Sequence, residues 1–138
     1  ATTNPGLNDP QDPKGFDTSV AAYLLFNPAL SADDAQDPDV NFLDHLKADF
    51  PPAIVFFGSD DSWLKKGWNP AYAKMETLEI KTVDLRIANG QGHAFFNKPP
   101  WVNVTLVESD KFLTQLGYLE GKPTLPAPKA GEKLIKSP

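Results

Sequence analysis

His93 is one of two histidines in the 138-residue chain. It closes the run Asn89-Gly90-Gln91-Gly92-His93, which follows directly on a strand-like segment. A histidine in that place can serve as a general base when a carboxylate takes its Nδ1–H, fixing the tautomer and stabilising the imidazolium formed on proton uptake. A matching acid stands after an earlier apolar segment, in Phe57-Gly58-Ser59-Asp60-Asp61. Catalytic groups of α/β sheets gather at the carboxyl ends of the strands, so both loops are expected on one rim. Taken singly each residue is ordinary, since a loop histidine is most often solvated or capping and an aspartate after a strand most often forms a turn. The pair is what points to chemistry.

The elements that would position the pair are legible as three strands. Residues 20–26 and 53–57 are continuously apolar, as strands covered on both faces of a parallel sheet are. Residues 83–87 alternate apolar and charged, which predicts a half-exposed strand near a sheet edge. Helical spacing falls between and after them. Trp68, Tyr72 and Met75 recur at i, i+4, i+7, while Val102, Leu106, Leu113 and Leu116 predict one face of a longer helix, with Ser109 on the same stripe and Gly117 as its stop. A short helix around residues 42–47 can take Asn41 as its cap and must end before Pro51-Pro52. Residues 1–19 read as loop or linker and residues 120–138 as an extended C-terminal tail, both rich in turn formers. The order is that of an α/β fold with right-handed crossovers.

One edge of this sheet is incomplete. Residues 20–26 have the composition of a central strand, yet only residues 53–57 offer a neighbour, and the preceding Pro-, Asp- and Gly-rich stretch cannot supply another. Strands from another polypeptide are expected there, either a symmetric copy or the other half of a larger domain.

Composition narrows the function. Hydrophobic residues make up 41% and charged residues 22%, as in a globular domain. A net charge of −5 argues against nucleic acid, whose phosphates require clustered Lys and Arg. No apolar stretch has the length of a membrane span and the N-terminus lacks a signal-peptide pattern, so a soluble protein is expected. With no cysteine there are no disulfides, thiol nucleophiles or cysteine metal sites. The compartment stays open, secretion and the periplasm being compatible.

The stretches PPAIVFFGSDDSW, ANGQGHAFFN and DKFLTQLGYL, with a helix and strand between the first two, resemble the C-terminal half of an α/β-hydrolase, in the lipase, esterase and acetyl-esterase-like branch. The resemblance covers residues 20–119. It implies Asp61, three residues after Gly58, as the triad acid and His93 as the base, and it aligns AYLLFNP with the preceding strand of that branch. The departure is the nucleophile: the family's Gly-x-Ser-x-Gly elbow and its His-Gly-Gly-type oxyanion loop are both missing. In that fold the nucleophile strand neighbours the strand resembling residues 20–26, so the open edge and the missing serine are one absence. The resemblance thus implies the acid- and base-bearing part of a serine carboxylic-ester hydrolase, acting on short acyl or acetyl esters, with the serine on a separate N-terminal polypeptide. A non-catalytic hydrolase-like module that assembles as a homo-oligomer is the alternative.

The remaining candidates divide. Asp60 is expected as a turn or cap residue, and His45 as a helix-surface residue with no second ligand nearby for a metal. Trp63, Phe95 and Phe96 are candidates to line an acyl pocket; one of the two phenylalanines is expected beneath the histidine loop. Gly90 and Gly92 read as turn formers for that loop and not as a phosphate cradle, because no lysine follows them. No metal or organic cofactor is implied.

Overall fold

In a computed structural model, residues 9–11, 13–15, 19–31, 37–126 and 132–137 are described. The helices α1 (Phe42–His45), α2 (Asn69–Thr77) and α3 (Trp101–Gln115) flank a sheet of β1 (Tyr23–Phe26), β2 (Ala53–Gly58), β3 (Val83–Ala88) and β4 (Leu134–Ser137). The strands lie in the order β1-β2-β3-β4. The first three are parallel, with Tyr23 opposite Ala53 and Val83, and β4 is antiparallel to β3.

β2 is the spine, and all six of its residues are buried. Ala53, Val55 and Phe57 face one core, built with Leu46, Phe50, Trp68 and Met75. Ile54 and Phe56 face the other, built with Phe95, Trp101, Val104 and Phe112. This is why the segment is apolar without alternation: helices cover both faces. Each of these full-sized side chains contributes about 1.5–3 kcal/mol by leaving water.

Three expectations about the elements change. β3 is an inner strand between β2 and β4. Its alternating charges arise from ion pairs: Asp84 accepts from Arg86 at 3.0 Å and from Lys136 of β4 at 2.6 Å. Arg86 and Lys136 lie directly opposite each other in the β3–β4 register, so the acid neutralises two facing cations. Part of the segment read as tail therefore supplies a fourth strand. The third change concerns α3, which buries Trp101, Val104, Thr105, Ser109 and Phe112. Of the stripe expected inside, Leu106 is 45% exposed. Apolar residues occupy both sides of this helix, and spacing alone could not choose between them.

The punctuation fell as expected. The Asn41 side chain accepts from the Leu43 N–H at the start of α1. Gly117, at φ 79, closes α3, with its N–H donated to Thr114 and that of Tyr118 to Leu113. Residues 64–68, which carry Trp68, are wound as a wider π-helical turn that runs straight into α2.

Candidate active site

The carboxyl ends of β1, β2 and β3 lie side by side because the strands are parallel and in register. Each is followed by one polar residue of interest: Asn27 after β1, Asp61 three residues after Gly58 of β2, and His93 on the loop after β3.

Two loops are drawn together first. Gly58 sits so close to the neighbouring loop that a Cβ there would be 2.1 Å from the Gln91 carbonyl oxygen. Only glycine fits at such an approach. The Asp60 N–H donates to that same oxygen at 2.9 Å. Ser59 Oγ accepts from the Gly90 N–H at 2.8 Å and donates to Asp60 at 3.1 Å. Gly90 takes a positive φ of 69, whereas Gly92 has open space around it and no positive φ. Of the two glycines read as turn formers, Gly90 is the one whose conformation requires the residue type.

Asp61 is then placed to accept three hydrogen bonds. The carboxylate is buried, 1% exposed, and His93 Nδ1–H donates to its Oδ2 at 3.0 Å. Asn27 Nδ2 donates to the same oxygen. The Trp63 N–H donates to Oδ1 at 2.9 Å. With Nδ1 held by the acid and the side chain 51% exposed, Nε2 is the nitrogen that a reacting group can meet. Trp63 stands edge-on to the imidazole, ring centroids 4.6 Å apart. The arrangement can orient an imidazole and receive a proton at Nε2, which is general-base chemistry.

The other expected residues fall as follows. Asp60 is exposed and serves the turn. Phe95 is buried edge-on against Trp101, in the core that holds Ile54 and Phe56. Phe96 is half-buried and tilted against Phe26 of β1. His45 pairs through Nε2 with the Pro38 carbonyl at 3.2 Å, away from the Asp61 cluster in the chain and on a different element. Among the described residues no group of three or more His, Cys, Asp or Glu could hold a metal, and no helix is long and apolar enough to cross a membrane.

Asn27 was missing from the sequence reading. It bridges positions 34 and 67 residues away, and no periodicity encodes such a contact. The available signal was a lone polar residue ending an apolar run, in Leu24-Leu25-Phe26-Asn27-Pro28.

No protein-family profile matches the sequence, and no curated protein matches it. Its three-dimensional structure is similar to that of esterase 2 from Thermogutta terrifontis. The form phosphoramylated by tabun is 26% identical, with a TM-score of 0.70, over 86% of this chain and 50% of the esterase. The form phosphorylated by paraoxon gives 26%, 0.70, 86% and 49%. The propionate-bound form gives 25%, 0.66, 86% and 51%. This chain spans about half the length of those esterases. Its mixed, mostly parallel sheet with helices is that part of an esterase-like α/β-hydrolase fold.

Proposed function

We propose that this chain is the acid- and base-bearing part of a serine carboxylic-ester hydrolase that acts on short acyl or acetyl esters, with the nucleophilic serine on a separate N-terminal polypeptide. The carrying observation is His93 Nδ1 at 3.0 Å from the buried Asp61 carboxylate, with the ring half-exposed. His93 Nδ1 is committed to Asp61, which leaves Nε2 to take the proton of the nucleophile in this reading.

In the assembled enzyme Asp61 holds the imidazole with Nδ1 protonated, and Nε2 removes the serine proton as its oxygen attacks the ester carbonyl. The imidazolium then protonates the departing alcohol. Water, deprotonated by the same nitrogen, hydrolyses the acyl-enzyme. The similar esterase is known in propionate-bound and butyrate-bound forms, which supports short acyl groups as the substrate class. It is also known phosphorylated by paraoxon, as expected of an enzyme with an activated nucleophile.

The nucleophile-bearing partner is assigned to the outer edge of β1. β1 ends the sheet on that side, with its four residues half-buried. Beside it, Leu24 of β1 and Leu106, Leu113, Leu119 and Leu125 line a groove of about 310 Å³. Leu106, Leu119 and Leu125 are all exposed. An open strand edge flanked by exposed leucines is a surface built to be covered.

The test is labelling of the natively purified protein with paraoxon, followed by intact-mass analysis of every polypeptide under denaturing conditions. A phosphorylated serine on a second polypeptide, lost together with ester hydrolysis in His93→Ala, is the expected result. Label on a longer polypeptide that includes these residues would overturn the separate chain and keep the chemistry. A homo-oligomer of this chain that takes no label would overturn the hydrolase reading and leave a non-catalytic assembly module.

A further inference from the structure

Asn27 carries more of the site than its place at a strand end requires. Its side chain is buried, the residue being 3% exposed, and its backbone is left-handed at φ 44 while its N–H still donates to the Phe56 carbonyl at 2.8 Å. The carboxamide then makes two bonds to two other strand ends. Nδ2 donates to Asp61 Oδ2, and Oδ1 accepts from the Ala94 N–H at 3.2 Å. These partners settle which way the amide faces: a carboxylate oxygen can only accept, a backbone N–H can only donate, and the carboxamide offers one of each.

Ala94 makes the second bond consequential. It follows His93 directly and is itself left-handed, at φ 60 and ψ 22. For an alanine that conformation costs about 1–2 kcal/mol, so something must hold it. The Asn27 oxygen meets the N–H of that strained residue. One buried side chain therefore grips the acid with its nitrogen and the backbone beside the base with its oxygen, across contacts 34 and 67 residues apart in sequence.

We propose that Asn27 is a positioning residue that locks the Asp61 carboxylate and the His93 loop in the register where Nδ1–H points at Oδ2. The role it would play in turnover rests on the hydrolase reading above; the locking itself does not. Asn27 acts through Asp61 and Ala94, and nothing requires it to touch substrate. The competing account is purely conformational, with asparagine present because it tolerates a left-handed backbone.

Two variants separate these accounts. Asn27→Gly keeps the left-handed freedom and removes the carboxamide. Asn27→Asp also tolerates that conformation and can accept from Ala94, but it turns an acceptor toward Asp61 in place of a donor. The readout is the long-range 1H–15N spectrum of the His93 imidazole in the natively purified, 15N-labelled protein. The wild type is expected to show one neutral tautomer with its proton on Nδ1, and both variants a mixture of Nδ1–H and Nε2–H. If ester hydrolysis is present, kcat should fall about 10- to 100-fold with KM little changed, as for a small misplacement of a catalytic group. Folded variants that keep the wild-type imidazole spectrum would overturn the proposal. Should neither variant fold, the wild type decides: the Asn27 side-chain amide protons must be protected from solvent exchange and must shift in Asp61→Asn, and rapid exchange would overturn it. A wild type without hydrolysis whose variants still scramble the tautomer would refute the hydrolase reading alone.

Discussion

Asp61 is held by its partners: donors from Asn27, Trp63 and His93 converge on one buried carboxylate. Replacing it with asparagine keeps the shape and leaves an NH2 group to face donors, so the imidazole loses the acceptor that selects its tautomer. In the proposed hydrolase Asp61→Asn should lower kcat about 10³- to 10⁴-fold with KM little altered, because there the acid acts on the base and not on ground-state binding. Steady-state ester hydrolysis checks this, and a loss below about tenfold would mean that Asp61 is only a turn residue. The two loops were legible because segments that follow the strands of a parallel sheet fall on one rim, while the choice of Asp61 over Asp60 came from the resemblance to the hydrolase pattern. Asn27 and the edge-on Trp63 were not, since their contacts depend on how loops fold over the rim.

At the level of elements, the site depends on the approach of two loops. Any side chain at Gly58 would strike the Gln91 backbone, since a Cβ there would lie 2.1 Å from its oxygen. Because the obstacle is backbone at the end of β3, relief requires moving the very loop that carries His93. Gly58→Ala should destabilise the protein by about 1–3 kcal/mol, read as a lowered urea midpoint, and should disorder the Nδ1–Asp61 bond. An unchanged midpoint would show that the loops are not in contact. The same scale marks what the sequence could say of the fold. Continuous apolarity in β2 meant two covered faces, and two helix-bearing cores cover it. Alternation in β3 suggested an edge, and this failed because Asp84 pairs with both Arg86 and Lys136 between paired strands. β4 went unread since four residues ending a Pro- and Lys-rich segment carry no pattern until β3 supplies the partner.

For the whole molecule, the two ends of the sheet differ. On one side β4 caps β3 with an antiparallel strand bearing Lys136, a charged edge of the kind that discourages further pairing. On the other, β1 ends the sheet beside exposed leucines. This asymmetry supports the proposal that a nucleophile-bearing polypeptide docks beside β1, and the partly outward-facing helix stripe agrees with it. Leu106 lies on α3 away from the core of its own chain, as a residue would whose apolar partner comes from elsewhere. The consequence is a variant that leaves this chain intact and breaks the assembly. Leu106→Asp changes an exposed position, so the folding stability should shift by no more than about 0.5 kcal/mol. Burying that carboxylate without a partner in an apolar interface should weaken association about tenfold or more. Thermal melting of the chain and co-elution with the paraoxon-labelled polypeptide measure the two effects separately. An unchanged melt with lost co-elution is the expected outcome. Full co-elution would remove the leucine groove from the interface and leave the β1 strand edge as the contact to be tested next.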